Sequence, residues 1–270
     1  MTRDFVLHDA VLLAIQATRV GLPGAGIPAW LQRYATARWA LVLPLSIGVV
    51  VGAIALLPNV ADVLTWVALI LVPPGAALAL GWAMRGARPV LAVLAVPLFA
   101  LAWASQTTAA GELAGAALAA LSCVTLGRLL AGAAPGPWLK AGIVAMAIVD
   151  AILVFSQNLQ QPNAVLNAAV PAPGLPQLQY VSFGPANLGY GDLFVAGVLG
   201  GVLAVEGAHA WRWALVTWAL AEAWTLLFYV TDTIPATVPV AVALILRELL
   251  RAGRTKPDAV RGEVAHGAHP

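Results

Sequence analysis

Charged side chains are scarce in this chain of 270 residues, since Asp, Glu, Lys and Arg together make up only 10% of it. An ordinary soluble domain carries about 25%. The basic residues lie scattered near the ends of apolar segments, unlike the clustered basic surface of a nucleic-acid-binding protein. The shortage of charge therefore argues against both a soluble domain and a nucleic-acid partner.

Cysteine and histidine are also rare. The single cysteine, Cys123, excludes an intramolecular disulfide and is interpreted as a small packing residue. The four histidines lie near the termini or in a loop: His8, His209, His266 and His269. No H-E-x-x-H motif is present, which argues against a zinc protease, and no histidine is available inside an apolar segment for a serine–histidine pair. We expect no metal and no cofactor.

Hydrophobic residues fill most of the chain, at 61% with a mean hydropathy of +0.88. Apolar stretches of about 20 residues, the length that crosses a bilayer, recur along it. This pattern predicts an all-α, polytopic transmembrane helical bundle with eight spans. They run approximately over 38–57, 62–83, 89–105, 111–131, 138–157, 188–206, 211–230 and 234–250.

Residues 4–20 form a further helical pattern, in which His8, Asp9, Gln16 and Arg19 fall roughly on one face. We interpret this pattern as an amphipathic helix at the membrane interface; if it crosses, the count becomes nine. The predicted parts are an interfacial segment (1–34), a four-helix transmembrane part (35–137), a second transmembrane part with a long loop at 158–187 (138–252), and a disordered tail (253–270).

From Arg33 onward, Lys and Arg lie in or beside alternate loops and in the tail, whereas the remaining loops contain no basic residue. By the positive-inside rule this alternation places the C-terminus in the cytoplasm and loop 158–187 outside it. Glu206 and Arg212 flank a short inner turn, where we expect a weak ion pair. The Ala- and Gly-rich composition indicates a prokaryotic cell membrane.

Two aspartates stand inside these apolar segments: Asp150 in GIVAMAIVDAILVF and Asp192 in NLGYGDLFVAGVLGG, with no charged residue between them. Ionisable residues within membrane segments are costly and normally face a partner or a water-filled cavity. Two carboxyl groups a few ångströms apart share one proton. The ionised member can then activate a water, while the protonated member polarises a carbonyl oxygen. The sequence leaves open which aspartate holds the proton.

The second aspartate ends the motif Gly189-Tyr190-Gly191-Asp192. Missing side chains at Gly189 and Gly191 allow backbone, water or substrate to approach the carboxylate closely. Farther along, Pro235-Ala236-Thr237 opens the last span. In order and spacing these three elements resemble the presenilin and signal peptide peptidase family of intramembrane aspartyl proteases, which carries Tyr-Asp, Gly-x-Gly-Asp and Pro-Ala-Leu on the corresponding spans.

The resemblance covers roughly residues 138–250 and implies that Asp150 and Asp192 are the catalytic pair. It also implies that Pro235, Ala236 and Thr237 line the active site and present backbone groups to substrate. The chain departs from the family pattern at Val149, where an aromatic residue is usual, and at Thr237, where Leu is usual. The orientation is similar to that of signal peptide peptidases, which implies protein substrates with type II transmembrane segments.

The long loop 158–187 contains LPQLQYVSF, which predicts a short strand. An edge strand here could pair with an unwound substrate by β-augmentation. On this hypothesis, proline at Tyr180 or at Val181 impairs cleavage and leaves membrane insertion normal. Oligomeric state and any partner subunit stay open.

Two alternatives use the same acids. Prepilin peptidases also carry a Gly-x-Gly-Asp, but they cut at the cytoplasmic boundary, whereas the charge pattern places the Asp192 end outside. A proton-coupled transporter or channel would relay protons through intramembrane acids. For that function Glu222, in the middle of the seventh span, is the additional candidate, although it could equally be a packing residue.

Overall fold

A computed structural model of the chain describes residues 3–24, 29–57, 59–231 and 233–266. Helices dominate these residues, and one short antiparallel hairpin accompanies them. The α-helices are α1 Arg3–Gly21, α2 Ala29–Gln32, α3 Val42–Leu56, α4 Val60–Leu78, α5 Ala95–Ala104, α6 Ala109–Ala133, α7 Gly136–Phe155, α8 Gln160–Ala168, α9 Tyr190–Val205, α10 Ala210–Trp224 and α11 Val238–His266. Short 3-10 segments precede α3 (Ala37–Leu41) and α5 (Pro89–Leu94) and follow α10 (Thr225–Tyr229), and a π-helical turn (Ala79–Ala83) follows α4.

Among the described residues, four helical segments are long and apolar enough to cross a membrane: Ala37–Leu56, Val60–Ala83, Ala109–Ala133 and Gly136–Phe155. Pro89–Ala104 and Tyr190–Val205 are shorter apolar helices. Many large apolar side chains on the bundle surface are exposed, Leu56 and Val230 by 82% each. Apolar surface of that extent suits lipid and not water. The all-α membrane bundle is therefore the architecture predicted from the sequence, while the number of spans stays a prediction.

Helix α6 lies at the centre of the bundle, since 67% of its apolar stretch is buried against 17% for Ala37–Leu56. Its main neighbour is α9, and glycines bring the two backbones together. A methyl group on Gly127 would overlap the carbonyl oxygen of Gly197, and one on Gly201 would lie 2.6 Å from the carbonyl oxygen of Gly127. Small residues of this kind are typical of helix contacts within membranes.

Helix α1 packs inside the bundle against α9, α10 and α6. Leu12, Gln16 and Val20 are completely buried and Arg19 is 4% exposed. These positions differ from the interfacial position that the sequence predicts for residues 4–20. The polar face that the sequence places toward water points into protein at Gln16 and Arg19. The Arg19 guanidinium donates to the carbonyl of Ile15, whereas Arg19 Nε and Gln16 Oε1 have no hydrogen-bond partner among the described residues.

The predicted strand in the long loop is present as β1 (Tyr180–Phe183), which pairs antiparallel with β2 (Ala186–Gly189). The turn needs a glycine because Gly184 has a φ of 56°. The amide of Gly184 donates to Glu112 Oε2 at the start of α6, over 2.9 Å. The hairpin is thereby fixed to the bundle, and β2 leads directly into α9.

An ion-pair network joins the start of α7, the end of α9 and the first half of α11. Glu206 contacts Lys140 at 2.6 Å and Arg247 at 2.5 Å, and not Arg212 as the sequence suggests. Glu248 contacts the same two bases. Burial acts to raise the pKa of Glu206, but the hydrogen bonds and charges of Lys140 and Arg247 outweigh it and hold that pKa below its ordinary value.

Helix α11 continues to His266, into the segment for which the sequence predicts a disordered tail. Ala, Arg and Glu, which favour helix, recur in this part of the sequence. Side-chain positions are described only as far as Gly253, and residues 267–270 lie outside the described residues. Disorder of the tail therefore stays a prediction.

Candidate active site

Asp192 lies in the first turn of α9, directly after the hairpin. Gly189 is the residue before the helix, and its amide donates to Asp192 Oδ2 over 3.1 Å. This contact is one half of a capping box, in which an acidic side chain in the first turn reaches back to the preceding backbone N–H. The positive end of the helix dipole also favours a carboxylate here. Local folding thus places the acid at the N-terminal end of α9.

Asp150 lies in α7, near the same end of the bundle, and is only 4% exposed. Its Oδ2 accepts a hydrogen bond of 2.6 Å from Thr237 Oγ1 and a longer one of 3.4 Å from the Thr237 amide. Thr237 is fully buried and directly precedes α11. The Pro235-Ala236-Thr237 segment therefore supports the first aspartate by direct contact.

Asp150 and Asp192 line one cavity of about 140 Å³, and their carboxyl groups interact electrostatically. A polar cavity of that size has room for more than one water. Other walls come from α7, α8, β2 and the segment before α11, with Val154, Asn163, Asn187, Phe228 and Ile234 among their residues. The site thus combines two acids, space for water and a mixed polar and apolar lining.

A larger cavity of about 500 Å³ lies elsewhere, between the loops that join α4 to α5 and α9 to α10. Its walls include Trp82, Arg85 and Gly207, and none of the described residues that line it carries a carboxylate. Arg85 Nε already donates to the carbonyl of Pro23. This cavity has no pair of acids for hydrolysis, so the smaller one is the candidate active site.

The remaining residues predicted for the site divide into two groups. Gly189 and Ala236 line the cavity with the two aspartates. Tyr190, Gly191 and Pro235 are not among its lining residues: the Tyr190 hydroxyl lies 2.7 Å from Ser122 Oγ on α6, and a Cβ on Gly191 would lie 3.7 Å from Met146 on α7. Tyr190 and Gly191 therefore contribute to the packing that positions α9.

Helix α1 supplies cavity residues that the sequence interpretation missed, among them Asp9 and Leu13. Asp9 also interacts electrostatically with Glu222 on α10. Gln16, two turns along α1 from Asp9, reaches the backbone of both α9 and the segment before α11. The polar face of residues 4–20 contains these side chains, but the sequence interpretation places that face in water at the membrane interface.

No protein-family model matches the chain, and no curated protein or solved structure matches it either.

Proposed function

We propose that this protein is an intramembrane aspartyl endopeptidase that hydrolyses peptide bonds within transmembrane segments. The observation that carries the proposal is the meeting of Asp150 and Asp192 at one cavity of about 140 Å³ inside an apolar bundle. Two acids of this kind would be costly in lipid without a function for them. The motifs that resemble the presenilin and signal peptide peptidase family add support from the sequence.

In the proposed reaction Asp150 is the base, because one of its oxygens accepts two hydrogen bonds, from the hydroxyl and amide of Thr237, whereas Asp192 accepts one, from the Gly189 amide. Asp150 removes a proton from a water held between the two acids, and the water oxygen attacks the peptide carbonyl carbon. Asp192 gives its proton to the carbonyl oxygen. As the tetrahedral intermediate collapses, Asp150 passes the first proton to the leaving amine and Asp192 recovers its own.

The membrane arrangement that we infer has nine crossings, with α1 added to the eight spans drawn from the sequence. Helix α1 has 19 residues and is therefore about 28 Å long, close to the roughly 30 Å of hydrocarbon in a bilayer. Its burial against α9 and α10 supports a position within the bundle. The distribution of basic residues supports a cytoplasmic C-terminus and an outer hairpin, and with them type II substrates.

We assign the substrate-pairing edge to β2, which lines the cavity, and not to β1 as the sequence hypothesis had it. Between two antiparallel strands, residue pairs that exchange backbone hydrogen bonds alternate with pairs that do not. The pair that closes a two-residue turn, here Phe183 and Ala186, is of the first kind. The amides of Asn187 and Gly189 then face away from β1; that of Gly189 already donates to Asp192 Oδ2, so the Asn187 amide is the one left to pair with substrate. An unwound substrate segment could form a third strand there, with its scissile carbonyl near Asp192.

One observation favours a second candidate function, proton-coupled transport. Glu222 interacts with Asp9, and Asp9 lines the cavity with Asp150 and Asp192. A row of acids from α10 to α7 could relay protons. Asp9→Asn separates the two functions: it interrupts the row, and so abolishes proton-driven uptake by a transporter, whereas both protease acids remain in place.

The deciding experiment uses the purified full chain in detergent with a peptide that contains a type II transmembrane segment. Wild type is compared with Asp150→Asn and Asp192→Asn, which keep side-chain size, and with Asp62→Asn, an acid in the first turn of α4. We expect products from wild type and Asp62→Asn only. Cleavage by either active-site variant at the wild-type rate contradicts the proposal, as does solute uptake by liposomes without any cleavage.

A further inference from the structure

Gln16 on α1 links the segments that carry the two aspartates, and it reaches Asp150 through one peptide group. The peptide that joins Ala236 to Thr237 donates its N–H to Asp150 Oδ2 on one side. On the other side its carbonyl oxygen accepts a hydrogen bond of 3.0 Å from Gln16 Nε2. Gln16 Nε2 also donates to the backbone carbonyl of Asp192, over 3.2 Å. The Gln16 amide thus holds both active-site segments at once.

The orientation of the Gln16 amide follows from its partners. Both contacts of Nε2 are carbonyl oxygens, which only accept, so the NH₂ group must face them and supply one hydrogen to each. Gln16 is completely buried, and its Oε1 has no hydrogen-bond partner among the described residues. A buried amide with an unpaired oxygen is costly. The contacts of its nitrogen give a reason for glutamine at this position.

We propose that Gln16 is a positioning residue that sets the separation of the two catalytic carboxyl groups, and that α1 is therefore part of the catalytic centre. The proposal rests on the proposed function above. Gln16 touches neither carboxyl group; it acts on Asp192 through its backbone and on Asp150 through the Ala236–Thr237 peptide. Without Gln16, the carbonyl groups of Asp192 and Ala236 lose this donor, and the hydrogen bonds that connect the segment before α11 to α9 are lost.

The inference predicts a specific kinetic change. Displacement of a catalytic group by about 1 Å can reduce the rate about 100-fold. Gln16→Met, which keeps the length and removes both donors, is therefore expected to lower kcat by about 10- to 100-fold. KM should stay within about twofold, because Gln16 is not among the cavity residues that would meet substrate. A purely structural role would instead lower the amount of active enzyme together with the thermal midpoint.

The matched control is Thr125→Val. Thr125 is also buried, and its hydroxyl donates to Gly75 on α4 over 2.7 Å, so this variant removes a polar contact between helices that does not reach the cavity. Active-site titration, kcat, KM and thermal unfolding are measured for both variants and for wild type. We expect similar thermal midpoints and a reduced kcat for Gln16→Met alone.

Gln16→Asn provides a second test if Gln16→Met fails to fold. It keeps a buried amide but is one methylene shorter, so it cannot reach both carbonyls, and kcat should again fall at constant KM. Equal kcat values for wild type and a folded Gln16 variant overturn the positioning role while the proposed function stands. A wild-type protein that cleaves no transmembrane peptide overturns both.

Discussion

Thr237 donates its hydroxyl to Asp150 Oδ2 over 2.6 Å, and the amide of the same residue approaches the same oxygen at 3.4 Å. The family that the sequence resembles has Leu at this position, which offers only the backbone amide. In this chain the side chain adds a donor to the carboxylate. One of the two residues that depart from the family pattern, Thr237, thus contacts the first aspartate.

Thr237→Val tests this contact, because valine keeps the branched shape and removes only the hydroxyl. A hydrogen bond to a charged group contributes about 1.5–3 kcal/mol, so we expect kcat to fall about tenfold or more. Thr237→Ser keeps the donor and should retain most of the activity. Peptide cleavage in detergent measures both variants. Equal activity of the valine and serine variants would contradict a role for the hydroxyl.

Gly127→Ala should destabilise the bundle. Its new methyl group would overlap the backbone carbonyl of Gly197, and neither α6 nor α9 can move without disturbing other buried contacts. Overpacking typically costs 1–3 kcal/mol, and a clash with backbone is expected at the upper end, about 3 kcal/mol.

Gly48→Ala on α3 is the matched control, since nothing lies within 4 Å of a Cβ at that position. Thermal unfolding followed by circular dichroism in detergent should show a lower midpoint for Gly127→Ala only. If both variants unfold at the wild-type temperature, the close contact between α6 and α9 is not as described.

Glu206→Gln should reduce stability at neutral pH, by on the order of 1–2 kcal/mol, because Lys140 and Arg247 lose a charged partner. The folded pKa of Glu206 lies below its ordinary value, so the ionised form stabilises the fold at pH values above the unfolded pKa. That contribution is lost as the pH falls through the folded pKa.

The difference between wild type and Glu206→Gln should therefore be largest near pH 7 and shrink below the ordinary value of 4.5. Unfolding midpoints measured across this range check the prediction. Arg212→Gln is the control, since Arg212 is exposed and makes none of the ion pairs of this network. A difference that grows toward acid pH would contradict the assigned direction.

Asn187→Pro should impair cleavage at least tenfold and leave membrane insertion normal. Proline removes an amide that faces the cavity side of β2, while the contacts between β1 and β2 use the amides of other residues. Tyr180→Pro changes the opposite edge of the hairpin, so we expect a smaller effect there. Val181→Pro removes an amide that points to β2 and should disrupt the hairpin itself. Cleavage lost in Tyr180→Pro and kept in Asn187→Pro would assign the substrate edge to β1.

The two acids and strand β1 could be predicted because their signals are local, whereas its partner β2 was not predicted. A carboxylate in an apolar run must meet a polar partner or water, so Asp150 and Asp192 are recognisable, and the Leu, Tyr, Val and Phe residues of LPQLQYVSF indicate the strand at Tyr180. The position of α1 could not be predicted in this way. A polar face on residues 4–20 shows that one side of the helix meets polar groups, but the pattern is the same whether those groups are water or the backbone of other helices.

The partner of Glu206 was missed for a related reason. Sequence proximity suggested Arg212, across a short turn, whereas the structure brings Lys140 from α7 and Arg247 from α11 to the same carboxylate. Contacts between distant helices depend on packing, which is set by features such as the glycines of α6 and α9. No local pattern around Glu206 contains that information.

Gln16 and Ala236 are 220 positions apart along the chain. During translation α1 leaves the ribosome long before the segment that it must contact. If the protein is the protease proposed above, hydrolysis requires the last helix to be in place, and a nascent copy with only its early spans would cut neither itself nor its neighbours.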